Sequence, residues 1–144
     1  MNNDLSQVHF SVQGPEDSMF AGGVYHGVLL LPKVFPFKAP HIQLLNPNGR
    51  FELRTNICID GYTAWHENSW SATKNIAIII RAVRSIFSDL EQRGIGYRCA
   101  PVESEVMKLK QGSVDWVCKE CGMNHSGMFG GKSDAETDAG SQDA

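Results

Sequence analysis

Cys58 stands in Ile57-Cys58-Ile59-Asp60, inside a stretch from Asn46 to Ser71 that keeps neither a helical nor a strand period. A thiol held near solvent in an ordered irregular segment can act as a nucleophile. The thiolate is the reactive form, and about a few per cent of an unperturbed thiol is ionised at neutral pH. The residue type alone leaves a second reading open, a small buried hydrophobe, since free cysteine is among the most buried side chains. Asp60 suits a turn or loop hydrogen bond. A loop this long inside a compact domain is functional or disordered, and Phe51, Tyr62, Trp65 and Trp70 offer apolar surface with which to pack.

Cys118-Lys119-Glu120-Cys121 has metal-ligand spacing, and Cys99 and His125 have the chemistry to complete a tetrahedral zinc site. A helix end carrying two unligated thiols explains the same residues, and no second well-spaced pair exists, so no metal is assigned and no bound cofactor is expected. His9, His26 and His41 fall on or beside strands and read as structural or surface side chains.

The elements that must position these groups follow from period and punctuation. Val8 to Gln13 and Val24 to Leu31 have strand composition, separated by the turn chemistry of Gly14-Pro15-Glu16-Asp17-Ser18. Pro32, Pro36 and Pro40 predict a semi-rigid extended connection before a third strand resumes at Ile42 to Leu45. Ser71 is a candidate cap for a helix in which Ile76, Ile79, Ile80, Val83, Ile86, Phe87 and Leu90 recur at helical spacing. Gly94-Ile95-Gly96 is expected to end it. Pro101 suits the first turn of a second helix that runs to about Gln111 and closes at Gly112. The reading is an α+β fold, a three-stranded antiparallel meander packed against a long helix. Residues 1–122 form the core domain, and residues 123–144 a Gly/Ser/Asp-rich tail too polar to order itself.

The 144 residues suit one domain, and a formal charge of −3 without a basic run argues against nucleic acid as a partner. The N-terminus lacks the regions of a signal peptide, and the longest strongly apolar run, Ile76 to Ile80, is far too short to span a bilayer. Four cysteines are too few and too unevenly spread for a secreted disulfide framework. The expected setting is cytoplasmic.

LPKVFPFKAPHIQLLNPNGRF, then NICID, then SWSATKNIAIII, resembles the centre of the ubiquitin-conjugating fold. That family shows a hairpin, a YPFKPP-like connection, a strand, an HPN tripeptide, an ICLD-like step and a Trp-Ser before a helix, in this order. Upstream, LSQVHFSVQGPEDSMFAGGVYHGVLLL resembles its second and third strands. Three details resemble the J-type branch of endoplasmic-reticulum-associated degradation: Asn46-Pro47-Asn48-Gly49-Arg50-Phe51 in place of HPN, the lengthened Cys58 to Trp70 interval with its extra Trp65, and the WVCKECG of Trp116 to Gly122.

The resemblance implies an acyltransferase whose Cys58 receives ubiquitin from an activating enzyme that uses ATP, then passes it to a lysine of a protein substrate, usually with a ubiquitin ligase. Asn48 matches the HPN asparagine, whose amide stabilises the oxyanion or braces the loop. Turn chemistry alone explains the same residue. Phe37, Ser71 and Ala72 match the two ligase-facing loops, Trp70 is expected to support the active-site loop, and Trp65 and Asp60 flank it. The stretch after the long helix, Gly94 to Cys99, offers no carboxylate to take the proton of the incoming lysine. The family's first helix and first strand have no counterpart, so a truncated form with impaired charging is expected. Attachment to the cytosolic face of the endoplasmic reticulum is expected only of a longer form bearing a tail anchor. Two alternatives stay open: an inert scaffold with the same fold, and a small zinc-binding module using Cys99, Cys118, Cys121 and His125.

Overall fold

A computed structural model describes residues 5–59, 62–63, 70–91, 94–98 and 100–128. Strands β1 (Leu5–Gln13), β2 (Val24–Pro32) and β3 (His41–Leu44) form an antiparallel sheet in the order β1-β2-β3. The α+β meander expected from the strand composition is therefore present. The pairing sets Ser11 opposite His26 and Phe10 opposite Gly27. Because side chains alternate, this register separates two faces. Phe10, Val12, Tyr25, Leu29, Ile42 and Leu44 enter the main core, while His9, Ser11, His26 and Val28 share the opposite face.

Helix α1 (Ile76–Ser88) buries Ile79, Val83, Ile86 and Phe87 against the first face. Phe87 is the hub of an aromatic cluster. It stacks on Tyr25 at 4.7 Å between ring centroids and meets Phe20 and Phe51 edge-on at 5.1 Å each. The cap of α1 is Asn75, whose Oδ1 accepts from the Ile78 amide at 2.9 Å, and not Ser71. Ser71 instead closes a preceding turn through Thr73 and Lys74. Both types can cap; the residue directly before the apolar period takes the position. The helix also stops at Ser88, ahead of the glycines expected to end it, where Asp89 leaves helical geometry and its amide bonds back to Ile86 O at 3.2 Å.

The Pro32 to Pro40 connection is tight turns, not extended chain. Its non-proline amides remain donors, and Phe35 and Phe37 bond back to Pro32 and Val34. Helix α2 (Glu103–Ser113) passes through Gly112 instead of closing there. Its end is fixed by tertiary bonding, since the Ser113 hydroxyl accepts from Val24 N at 3.0 Å and donates to Lys110 O at 2.7 Å.

The segment after α2 folds back on itself, with Cys118 N donating to Met123 O and His125 N to Trp116 O, both at 2.8 Å. It covers the second sheet face, where Cys118, Trp116 and Met123 pack with Val28, Leu30 and Leu45. Ordered packing thus runs to residue 128, with His125 buried, while 129–144 lie outside the described residues. No helix among the described residues is long and apolar enough to cross a membrane.

Candidate active site around Cys58

After β3 the chain turns at Asn46 and runs back along the sheet edge, where Arg54 N donates to Leu44 O and Ile57 N to Ile42 O, both at 2.9 Å. This lays Cys58 just beyond the sheet, half-buried between the buried Ile57 and Ile59. The blander possibility of a wholly buried thiol does not hold. Beyond it, Thr63 closes a turn by accepting from Ile59 N and donating to Ile59 O.

The segment 94–98 crosses beside the cysteine. Cys58 N donates to Ile95 O at 3.0 Å, Glu52 N to Gly96 O at 2.8 Å and Arg98 N to Arg50 O at 2.7 Å. Gly96 adopts φ +92, and a Cβ there would lie 3.1 Å from the Ile57 Cα, so only glycine fits this approach without strain. A Cβ at Gly94 would come within 3.7 Å of the Cys58 Cβ. Tyr97 joins the same corner. Burial, together with the nearby Cys58 and Asp89, pushes its phenol up to about 12 against the opposing pull of Arg50.

Arg50 holds this corner together, and nothing in its residue type announced that. It is fully buried, donating from Nε to Ile86 O at 3.2 Å, from Nη1 to Arg98 O at 3.1 Å and from Nη2 to Asp89 O at 2.9 Å. Its guanidinium also lies over the rings of Phe51 and Tyr97. One side chain therefore caps the end of α1 and ties it to the strip that borders Cys58, which suits the planar fork of arginine.

Asn48 is buried beside it, its Nδ2 donating to Asn46 O and its Oδ1 accepting from the amides of Arg50 and Phe51 at 2.7 Å. These are the bonds of a loop brace. Asn46, where the family pattern has histidine, bridges to β2 by accepting from His26 N and donating to Val24 O.

The two loops matched to ligase contacts come together through Trp70, whose indole N–H donates to Pro36 O at 2.8 Å and whose ring lies 6.1 Å from that of Phe35. Phe37 next to this anchor is 78% exposed, and Ser71 and Ala72 are exposed as well. Lys74 lies over the Trp70 and Tyr62 rings. Asp60, Trp65 and Cys99 lie outside the described residues.

A second polar cluster occupies the opposite sheet face. One ligand-type atom from each of His9, His26, Cys118 and Cys121 lies within 4.8 Å of the others. His125, grouped by sequence with the two cysteines, turns instead to Ser11 and Ser113. Burial, then the adjacent His9 and His125, lower His26 to about 4 against the opposing Glu120, so it is neutral at physiological pH.

The ubiquitin-conjugating enzyme family pattern matches residues 1–107. The chain is 36% identical over 123 residues to ubiquitin-conjugating enzyme E2 J1 of Homo sapiens, covering 85% of this chain and 38% of that protein. It is 32% identical over 120 residues to the probable ubiquitin-conjugating enzyme E2 L709 of Acanthamoeba polyphaga mimivirus, covering 78% and 30% respectively. It is 41% identical over 83 residues to ubiquitin-conjugating enzyme E2 32 of Arabidopsis thaliana, covering 56% and 27%. The chain thus spans well under half the length of these relatives. A match that runs unbroken through the meander, the braced NPNGRF turn, the Cys58 strip and α1 makes this chain a member of the ubiquitin-conjugating enzyme family, related to its J-type enzymes.

Proposed function

We propose that the protein carries ubiquitin as a thioester on Cys58 and transfers it to lysine amines of protein substrates. The observation that carries this reading is the half-buried thiol pinned beside the glycine strip of 94–96, inside the span that matches the family. In the first step the Cys58 thiolate attacks the carbonyl of a ubiquitin C-terminus activated by an ATP-dependent enzyme, and the activating group leaves. In the second, a lysine amine attacks the thioester carbonyl, the Cys58 sulfur departs as thiolate, and the proton shed by the amine passes to solvent.

Both steps pass through an oxyanion, and donors aimed at it typically supply about a hundredfold to a thousandfold in rate. Asn48 serves this chemistry as a positioning residue, since its amide already braces the turn that carries Arg50. Ligase docking is assigned to Phe37, Ser71 and Ala72, supported by their exposure on two loops joined through Trp70. Asp60, Trp65 and Trp70 are assigned to support of the active-site loop. The J-type kinship extends the proposal to endoplasmic-reticulum-associated degradation, with transfer at the cytosolic face.

The test is incubation of the chain with activating enzyme, ubiquitin and ATP. A ubiquitin adduct labile to reductant, and no such adduct with Cys58→Ser, is the expected result. Absence of an adduct under conditions that charge a J-type relative would overturn this reading and favour the inert variant of the fold.

A further inference from the structure

The chain's second cluster lies outside the Cys58 site. Two strands contribute histidines and the C-terminal fold-back contributes a C-x-x-C pair, so four zinc-type ligands converge from residues far apart in sequence. We propose that His9 Nδ1, His26 Nε2, Cys118 Sγ and Cys121 Sγ form a tetrahedral zinc site that fastens the C-terminal segment to the sheet.

The separations support this geometry. Zinc bonds of about 2.0–2.1 Å to nitrogen and about 2.3 Å to sulfur place tetrahedral ligand atoms roughly 3.3–3.8 Å apart. His9 Nδ1 lies 3.0 Å from His26 Nε2, Cys121 Sγ 3.6 Å from His26 Nε2, and Cys118 Sγ 3.9 Å from His9 Nδ1. These three separations lie within a few tenths of an ångström of ligand geometry, and all four atoms lie within 4.8 Å of one another. The cysteines are free thiols, and Cys118-Lys119-Glu120-Cys121-Gly122 turns tightly, with Gly122 N donating to Cys118 O at 2.8 Å.

Hydrogen bonding behind the ligands is what separates a metal site from a chance cluster. Metal-bound histidines normally donate their other ring N–H to a fixed acceptor. His125 Nδ1 can only donate to Ser113 O, so its Nε2 accepts from the Ser11 hydroxyl. Ser11 Oγ is then an acceptor for His26 Nδ1–H at 2.8 Å, which leaves the lone pair on His26 Nε2, the atom that faces the cysteines. His9 has Nε2 at 4.0 Å from Glu120 Oε1, while its Nδ1 faces the cluster. Glu120 is drawn outward by its 2.6 Å pair with Arg54. A neutral His9–His26 hydrogen bond would account for their contact, yet it does not require both sulfurs beside those nitrogens.

Binding converts two thiols to thiolates, with their protons released to solvent, and two thiolates balance the charge of Zn²⁺. The site does not rest on the conjugation chemistry, and metal content is read without ubiquitin. The full 144-residue chain, prepared with zinc and freed of loose metal on a desalting column, should hold about one zinc per chain. Cobalt titrated into the stripped chain should develop the visible bands and thiolate charge-transfer absorption of a tetrahedral two-sulfur site.

Cys121→Ser, at an exposed position, should keep the folded circular dichroism spectrum and lose zinc retention by at least about tenfold. Cys58→Ser should retain zinc fully. A folded wild-type chain with no zinc and no cobalt bands overturns the proposal, as does zinc retained unchanged by both Cys118→Ser and Cys121→Ser.

Discussion

Replacing Arg50 by methionine keeps side-chain length but deletes the donors that hold the end of α1 to the strip beside Cys58. Three carbonyls, those of Ile86, Asp89 and Arg98, lose a charged partner at 2.9–3.2 Å. Hydrogen bonds to charged groups contribute about 1.5–3 kcal/mol each. The raw loss is offset because methionine needs no desolvation of a guanidinium and water can reach the less buried carbonyls, leaving a net cost of about 3–5 kcal/mol. In a domain of this size that lowers the melting temperature by roughly 10 °C. Arg50→Lys should recover little of it, since one ammonium cannot span three carbonyls. The assay is urea unfolding followed by tryptophan fluorescence, with the slope unchanged and the midpoint shifted. Glu105→Gln, which breaks a half-exposed 3.5 Å pair with Arg98, serves as the reference and should cost less than about 1 kcal/mol. An Arg50→Met loss no larger than that of Glu105→Gln would refute the view that Arg50 anchors the site.

Gly96→Ala, at φ +92 and 3.1 Å from the Ile57 Cα, should destabilise by about 1–2 kcal/mol and slow thioester formation on Cys58, as followed by gel shift. Phe37→Ala should move the melting temperature by less than about 2 °C because the ring is 78% exposed, while ligase-stimulated discharge of the thioester falls about tenfold. The folded Tyr97 phenol titrates near 12, above its unfolded value of about 10, so the folded state holds this proton more tightly. Its contribution is whole below pH 10 and lost as pH rises toward 12. Denaturation midpoints should therefore fall across that window, and less steeply in Tyr97→Phe.

Local pattern was enough to read the three strands and the existence of both helices, because alternation, helical spacing and turn residues act over a few neighbours. The cap of α1, Asn75 rather than Ser71, is set locally, but other boundary features depend on distant partners: Arg50 bonds the Ile86 carbonyl in the last turn of α1, and Ser113 pins α2 past Gly112 through a bond to Val24.

The same division runs through the site. The order of NPNGRF, NICID and SWSATKN along the chain is a property of the sequence, and it suffices to identify the family. That Arg50 would be buried among three carbonyls, or that 94–98 would pair with 50–52 and border Cys58, depends on side-chain reach between segments tens of residues apart. The histidines illustrate it most sharply. Nearness in sequence grouped His125 with Cys118 and Cys121, whereas strand register put Ser11 opposite His26 and brought His9 and His26 to the two sulfurs. A period of two says which face a strand residue takes; only the folded chain says what covers that face.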